Sequence, residues 1–159
     1  MLRMVSVKKL FFLLALAIVA LLLVFFIHGP FLEPGVEEAV VRAVLSQAGE
    51  PGEGQLAAEG HKVFQATEKG NELTVYGMFS YGLYDTEEGD YTPGAEAVPA
   101  RITFHDSGSG GWELQSYEEA GIEGTAVWDL FPVSLRPFLL LSGLYDSGLE
   151  AQLRTYFDA

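Results

Sequence analysis

One apolar segment near the N-terminus constrains this chain more than any other feature. Leu10–Ile27 is an unbroken run of 18 apolar residues. At 1.5 Å per residue, a helix over this run is about 27 Å long, close to the roughly 30 Å hydrocarbon core of a bilayer. The run therefore predicts a transmembrane helix, bounded at residues 10–28, that contacts the lipid bilayer directly.

Basic residues flank only one end of this run. Arg3, Lys8 and Lys9 precede it, and the next Lys or Arg along the chain is Arg42. Loops that keep Lys and Arg stay on the cytoplasmic side of a membrane. We therefore expect residues 1–9 to form a cytoplasmic tail and the C-terminal part of the chain to be extracellular.

A cleavable signal peptide is the alternative interpretation of the same run. Signal peptides have an apolar region of about 7–15 residues followed by a cleavage site of small residues. Here the run is longer, it ends in Val24–Ile27, and His28–Pro30 offers no such site. The pattern favours a retained, single-pass signal-anchor, followed by a linker at 29–33 and an exported domain at 34–159.

The exported part is strongly acidic. All 22 Asp and Glu residues follow the apolar run, against six of the nine Lys and Arg residues. Nucleic acid is excluded as an expected partner, because phosphate binding depends on Lys and Arg. The chain has no cysteine, so neither a disulfide framework nor thiol chemistry is expected.

The hydrophobic pattern of the exported part predicts one helix followed by strands. Pro34 suits a first helical turn, and Val36, Val40 and Val44 repeat at helical spacing, which predicts a helix over Pro34–Gln47. Segments rich in Val, Phe, Tyr and Thr predict four strands. Their bounds are His61–Glu68, Glu72–Tyr84, Val98–His105 and Trp112–Glu118.

Short polar connections join the predicted strands. Lys69–Asn71 is typical of a hairpin turn, Asp85–Gly94 of an acidic loop and Asp106–Gly111 of a Ser/Gly turn. Pro137 predicts a short or kinked helix over Ser134–Leu141, and a second short helix is expected at Leu149–Phe157. The expected fold is α+β: the transmembrane helix, then a helix packed on an antiparallel four-stranded meander with cystatin/NTF2-like layering, and short C-terminal helices.

Sequence spacing identifies no catalytic or cofactor-binding group. The three histidines form no His-Glu-x-x-His pattern, so no zinc site is predicted. The loop Asp85–Asp90 presents four carboxylates without EF-hand spacing, which favours a solvated loop over a calcium site. A glycosidase-like carboxylate pair stays open as an alternative, although no carboxylate is singled out by its neighbours.

Aromatic residues are abundant on the predicted strands. Tyr76 and Tyr81 fall on opposite faces of one strand, so a single buried face cannot take up all of these rings. Exposed aromatic surface is a common way to line a groove. We therefore name Tyr76, Tyr81, His61 and Trp112 as candidate ligand-binding residues.

Several short segments occur in a distinctive order and spacing. They are Glu59–Val63, Val75–Gly77, Tyr81–Gly82, Val98–Phe104, Trp112–Tyr117, Gly124 and Phe131–Pro132. In these segments, over residues 36–157, the chain resembles an uncharacterised extracytoplasmic domain of Gram-positive membrane proteins, mainly clostridial and bacillar. That domain is also appended to antirepressor metalloproteases of the beta-lactam-sensor type. The resemblance implies an exported sensory or binding module and no reaction.

These observations predict a membrane-anchored, extracytoplasmic binding or sensory module that is not an enzyme. Its partner would be another membrane protein or a cell-wall component near the outer membrane face. One alternative is a structural or assembly subunit of a membrane complex. A small hydrolase that uses a carboxylate site is a further alternative.

Overall fold

A computed structural model describes residues 11–17, 30, 32–108, 110–121 and 126–141, and it divides the chain into two units at Phe31. In the first unit, residues 11–17 are helical with exposed side chains. The rest of the predicted transmembrane run lies outside the described residues. Within the described part of the chain, no helix is long and apolar enough to cross a membrane. The transmembrane helix thus stays a prediction.

The second unit begins with helix α1, Pro34–Leu45. The predicted helix is confirmed, and it ends two residues earlier than expected. The Gln47 and Ala48 N–H groups donate to the carbonyls of Val44 and Leu45, three residues back, so the chain closes in a tighter turn. One stripe of small apolar side chains is buried at helical spacing: Ala39, Val40, Ala43 and Val44. This stripe faces the sheet.

The predicted four-stranded antiparallel meander is confirmed. Its strands are β1 (Gln55–Lys69), β2 (Glu72–Asp85), β3 (Tyr91–Asp106) and β4 (Trp112–Glu119), in the spatial order β1-β2-β3-β4. The β1–β2 hairpin turns at Gly70, whose φ of +65° is a conformation that glycine adopts at little cost.

Two strands extend beyond their predicted starts. β1 begins six residues before His61. β3 begins at Tyr91 and not at Val98, so the loop predicted over Asp85–Gly94 is shorter and comprises residues 86–90. The added lengths pair with the far end of β2, where Tyr84 aligns with both Leu56 and Tyr91. Pro93 and Gly94 are tolerated in this part of β3 because it pairs with β2 alone, β4 reaching only to Ala100, and because the register shifts there at bulges.

That bulge lies between β2 and β3. The register passes from Phe79 opposite Val98 to Tyr81 opposite Ala95, which leaves Ala97 out of the ladder with a φ of +48°. The Ala97 N–H donates instead to the Ser80 hydroxyl oxygen at 2.9 Å. Ser80 is buried, so this bond satisfies both polar groups inside the fold.

Both faces of the sheet are covered, which gives three layers. We call the face under α1 the helix-side face. Its buried strand residues are Val63, Leu73, Val75, Phe79, Ala100, Ile102 and Phe104. We call the opposite face the C-terminal face, because the chain after β4 covers it with a second apolar cluster: Phe64, Met78, Leu130, Phe131 and Leu135.

The covering segment on the C-terminal face consists of short helices. These are α2 (Val127–Leu130), a 3₁₀ turn (Val133–Leu135) and α3 (Arg136–Leu141). Over Ser134–Leu141 we expected a short or kinked helix, and a short helix is confirmed: α3 has six residues and directly follows the 3₁₀ turn. The helix predicted at Leu149–Phe157 lies outside the described residues.

Candidate functional site

His61 lies on the helix-side face with one carboxylate at each ring nitrogen. Nδ1 is 2.8 Å from Glu59 Oε2 on the same strand, and Nε2 is 3.1 Å from Glu37 Oε1 in the first turn of α1. The His61 side chain is 12% exposed and that of Glu59 is 13% exposed, whereas Glu37 is 48% exposed. The three side chains therefore form a bridge between α1 and β1.

Local strand geometry explains the contact between Glu59 and His61. Residues two apart on a strand point to the same face, so Glu59 and His61 are neighbours wherever β1 is regular. The His61 ring also packs on Phe79, with ring centroids 6.4 Å apart and planes at 25°. The ring is thus fixed by an apolar contact on β2 and by two acidic groups.

The two carboxylates change the proton affinity of His61. Burial lowers the pKa of the imidazole, but the hydrogen bonds and negative charges of Glu59 and Glu37 together outweigh burial and raise the pKa above its usual 6.5. The folded protein therefore favours the charged form of His61 more than an unperturbed imidazole would.

More polar groups lie at the same end of the helix-side face. Tyr81, which aligns with Glu59 across β1 and β2, donates a 2.8 Å hydrogen bond to Glu119 Oε1. Burial, followed by this bond and the Glu119 charge, raises the pKa of Tyr81 to about 12. Burial also raises the pKa of the nearby Tyr117 hydroxyl. We call Glu37, Glu59, His61, Tyr81, Tyr117 and Glu119 the His61 cluster.

The other two candidate residues lie apart from the His61 cluster. Tyr76 is on the C-terminal face, where its ring contacts Phe131 with centroids 5.5 Å apart. The prediction that Tyr76 and Tyr81 lie on opposite faces is thus confirmed. Trp112 packs on the helix-side core at the other end of the sheet, roughly 20 Å from His61 along the strands. The four residues therefore do not line one common site.

The C-terminal face carries a cleft that sequence reasoning did not identify. We call this open space of about 420 Å³ the apolar cleft; its lining residues are Pro99, Ala120, Gly121, Ala126, Val127, Trp128, Leu139 and Leu140. Trp128 is 42% exposed and Leu140 is 74% exposed. The volume lies within the range of roughly 300–1,000 Å³ that is typical of small-molecule sites.

Arg136 holds the exposed ring of Trp128 in place. Its guanidinium carbon lies 5.6 Å from the centre of the Trp128 ring, which is cation–π geometry. Arg136 Nη2 also donates a 2.8 Å hydrogen bond to the Trp128 carbonyl. The aromatic side of the apolar cleft is therefore fixed before any ligand arrives.

Neither the His61 cluster nor the apolar cleft offers a metal site. Within the described ranges, no three His, Asp or Glu side chains are grouped so as to hold a metal ion. In the acidic loop, Asp85 Oδ1 accepts the backbone N–H groups of Glu87 and Glu88, and these bonds lower the pKa of Asp85. This carboxylate caps a turn of its own loop.

Comparisons with known proteins gave no match: no family model, curated protein or solved structure is similar to the chain.

Sequence reasoning missed both the partners of His61 and the apolar cleft. The spacing Glu-x-His on a predicted strand was a usable signal for Glu59, but β1 was expected to start only at His61. Glu37 lies 24 positions from His61, and only packing of α1 on the sheet brings the two together. The cleft joins β3 and α3, which no local pattern relates.

Proposed function

We propose that this chain is a membrane-anchored, extracytoplasmic binding module that holds an apolar group in the cleft on its C-terminal face. The single observation that carries the proposal is the cleft itself, an open apolar surface with a fixed, exposed Trp128. Concave, mostly apolar surfaces of this size are the usual form of small-molecule binding sites. The apolar run Leu10–Ile27 supports the anchor, and the basic N-terminal flank supports an extracellular domain.

The ligand chemistry follows from the lining. Side chains that line the cleft are aliphatic or aromatic, with no Asp, Glu or His among them. Burial of apolar surface at about 25 cal/mol per Å² would therefore supply most of the affinity. We propose an apolar side chain or acyl group, presented by a neighbouring membrane protein or a cell-wall component, as the occupant.

Layering and resemblance agree with this proposal. A helix packed on one face of an antiparallel meander is consistent with cystatin/NTF2-like layering. The family resembled by Glu59–Val63 and Val98–Phe104 likewise implies an exported binding or sensory module. An assembly subunit is the alternative, and it would use the same apolar surface against a protein.

A hydrolase gains no support from the geometry. Glu37 and Glu59 both contact His61, and the apolar cleft has no carboxylate in its lining. A general acid needs a raised carboxyl pKa. The Arg101 guanidinium instead lowers the pKa of Glu118, and backbone N–H groups lower that of Asp85.

Site-directed photocrosslinking in intact membranes tests the binding role. A photoreactive residue is placed at Leu140 in the cleft or, as a control, at Leu56, which is also exposed but lies on β1. We expect a crosslinked species from Leu140 alone, and we expect Trp128→Ala to remove it. The proposal fails if Leu56 yields the same species or if Trp128→Ala leaves the yield unchanged.

Topology is tested separately. A reporter fused after Ala159 should be active only on the extracellular side. Activity restricted to the cytoplasm would overturn the exported location and leave the cleft proposal intact. The crosslinked mass then decides between a small ligand and a protein partner.

A further inference from the structure

The contacts of His61 tie together two elements that are far apart in sequence. Glu37 belongs to the first turn of α1, whereas Glu59 and His61 belong to β1. The two hydrogen-bond distances, 3.1 Å to Glu37 and 2.8 Å to Glu59, place an acceptor at each ring nitrogen. This geometry requires a proton on both nitrogens, because an ionised carboxylate can only accept.

Only the imidazolium form of His61 has both protons. A neutral ring has one N–H and one lone pair, so it donates to a single carboxylate and repels the other. The Glu59 side chain is only 13% exposed and makes the shorter contact, so it retains the N–H. Glu37 is about half exposed and can turn into water at little cost. Loss of one proton therefore breaks the contact with α1 first.

We propose that His61 is a pH-sensitive latch, which fastens the first turn of α1 to β1 when protonated and releases that turn when neutral. The latch is independent of any ligand in the apolar cleft, which lies on the opposite face. We expect a local change, since the stripe of α1 from Ala39 to Val44 is buried on the sheet and makes no contact that depends on the His61 proton.

The charged groups around His61 set the direction of the switch. Glu37 faces the ring from α1 and Glu59 faces it from β1, and both carboxylates favour the protonated ring. Tyr81 on β2, and Tyr117 and Glu119 on β4, are further titratable groups at this end of the face. None of these groups is cationic, which agrees with the raised pKa of His61.

The sign of the pH dependence follows directly. The folded-state pKa of His61 is above the unfolded value of about 6.5. The latch is therefore fully closed below about pH 6.5, and it opens as the pH rises through the folded-state pKa.

Amide hydrogen exchange measured by NMR on the full-length chain in detergent micelles tests the latch. The N–H groups of Val36 and Glu37 both donate to the Glu33 carbonyl at 2.9 Å and report on the first turn, whereas the Ser46 N–H donates to Arg42 and reports on the last turn. Protection is expressed relative to an unstructured peptide at the same pH. We expect first-turn protection to fall about three- to tenfold as His61 loses its proton, and Ser46 protection to stay constant.

Two variants of adjacent glutamates supply the matched control. Glu37→Gln removes the charge that faces His61 and should abolish the pH-dependent fall in first-turn protection, which we call the step. Glu38→Gln should keep the step. Glu38 is 74% exposed and lies 3.7 Å from Arg42 on the solvent side of the same helix. His61→Gln should also abolish the step. The proposal is overturned if protection at Ser46 falls equally. It is also overturned if the step persists in Glu37→Gln or His61→Gln, or if it is lost in Glu38→Gln.

Discussion

The hydrogen bond between Ser80 and Ala97 makes the bulge between β2 and β3 directly testable. Ser80 is only 1% exposed, and its hydroxyl oxygen accepts the Ala97 N–H at 2.9 Å. Ala97 has left the ladder and adopts a φ of +48°, which costs a non-glycine residue about 1 kcal/mol or more. The change Ser80→Ala removes the acceptor and leaves the strained backbone in place.

The expected loss of stability follows from the orphaned N–H. A buried donor that loses its partner costs about 1–3 kcal/mol. Ala97 is half-buried, so water can replace part of the lost bond, and we expect about 1–2 kcal/mol for Ser80→Ala. In a domain of this size, each 1 kcal/mol lowers the melting temperature by roughly 4 °C.

The assay is urea unfolding of the full-length chain in detergent micelles, followed by tryptophan fluorescence. Ser116→Ala is the matched control, because the Ser116 hydroxyl donates only a long 3.4 Å bond to Glu118 on β4. We expect this control to stay within about 0.5 kcal/mol of the unmodified chain. The reasoning is refuted if both variants unfold alike, or if Ser80→Ala shows no loss of stability.

Three further substitutions have defined outcomes. A methyl group added at Gly77 would lie 2.5 Å from the Lys62 carbonyl oxygen, so Gly77→Ala should cost about 1–3 kcal/mol in the same unfolding assay. Gly35→Ala, which meets no atom within 4 Å in the first turn of α1, should instead be neutral or stabilise by up to about 1 kcal/mol; equal effects would contradict the packing. Tyr81→Phe should cost about 1 kcal/mol, because the 2.8 Å bond to Glu119 is lost. Burial and Glu119 raise the pKa of Tyr81 to about 12. The contribution of this hydroxyl to the free energy of unfolding should therefore be complete below about pH 10 and disappear as the pH rises towards 12. The unmodified chain and Tyr81→Phe should accordingly become equally stable in alkaline solution.

The sequence predicted those helices and strands whose hydrophobic pattern lies within one continuous segment of the chain. The spacing of Val36, Val40 and Val44 indicated α1, and alternation with short turns indicated the four-stranded meander; both are confirmed. Strand starts were missed where Pro93 and Gly94 suggested a loop, because pairing with β2 and a bulge made a strand there. The strand or turn preference of a single residue does not include the free energy that a strand gains by pairing with its neighbour.

The candidate sites were harder to predict for a physical reason. Glu-x-His places Glu59 beside His61 through strand geometry alone, yet the second carboxylate arrives only when α1 packs on the sheet. The apolar cleft needs β3, α2 and α3 together. Trp112 was named for its exposed aromatic character, and its position half-buried against the helix-side core depends on tertiary packing. The transmembrane run stays a prediction, since most of it lies outside the described residues.

The order of the three layers has a consequence for how the chain is made. Synthesis delivers α1 before any strand, and each later strand pairs with the one just completed, so the helix-side core can assemble as the chain emerges. The cover of the opposite face consists of the last described elements, and Phe64 and Met78 stay uncovered until Leu130–Leu135 has been made. A nascent or truncated chain that ends at β4 would therefore display a sticky apolar sheet surface. Only the addition of α2 and the 3₁₀ turn covers this surface and completes the second apolar cluster.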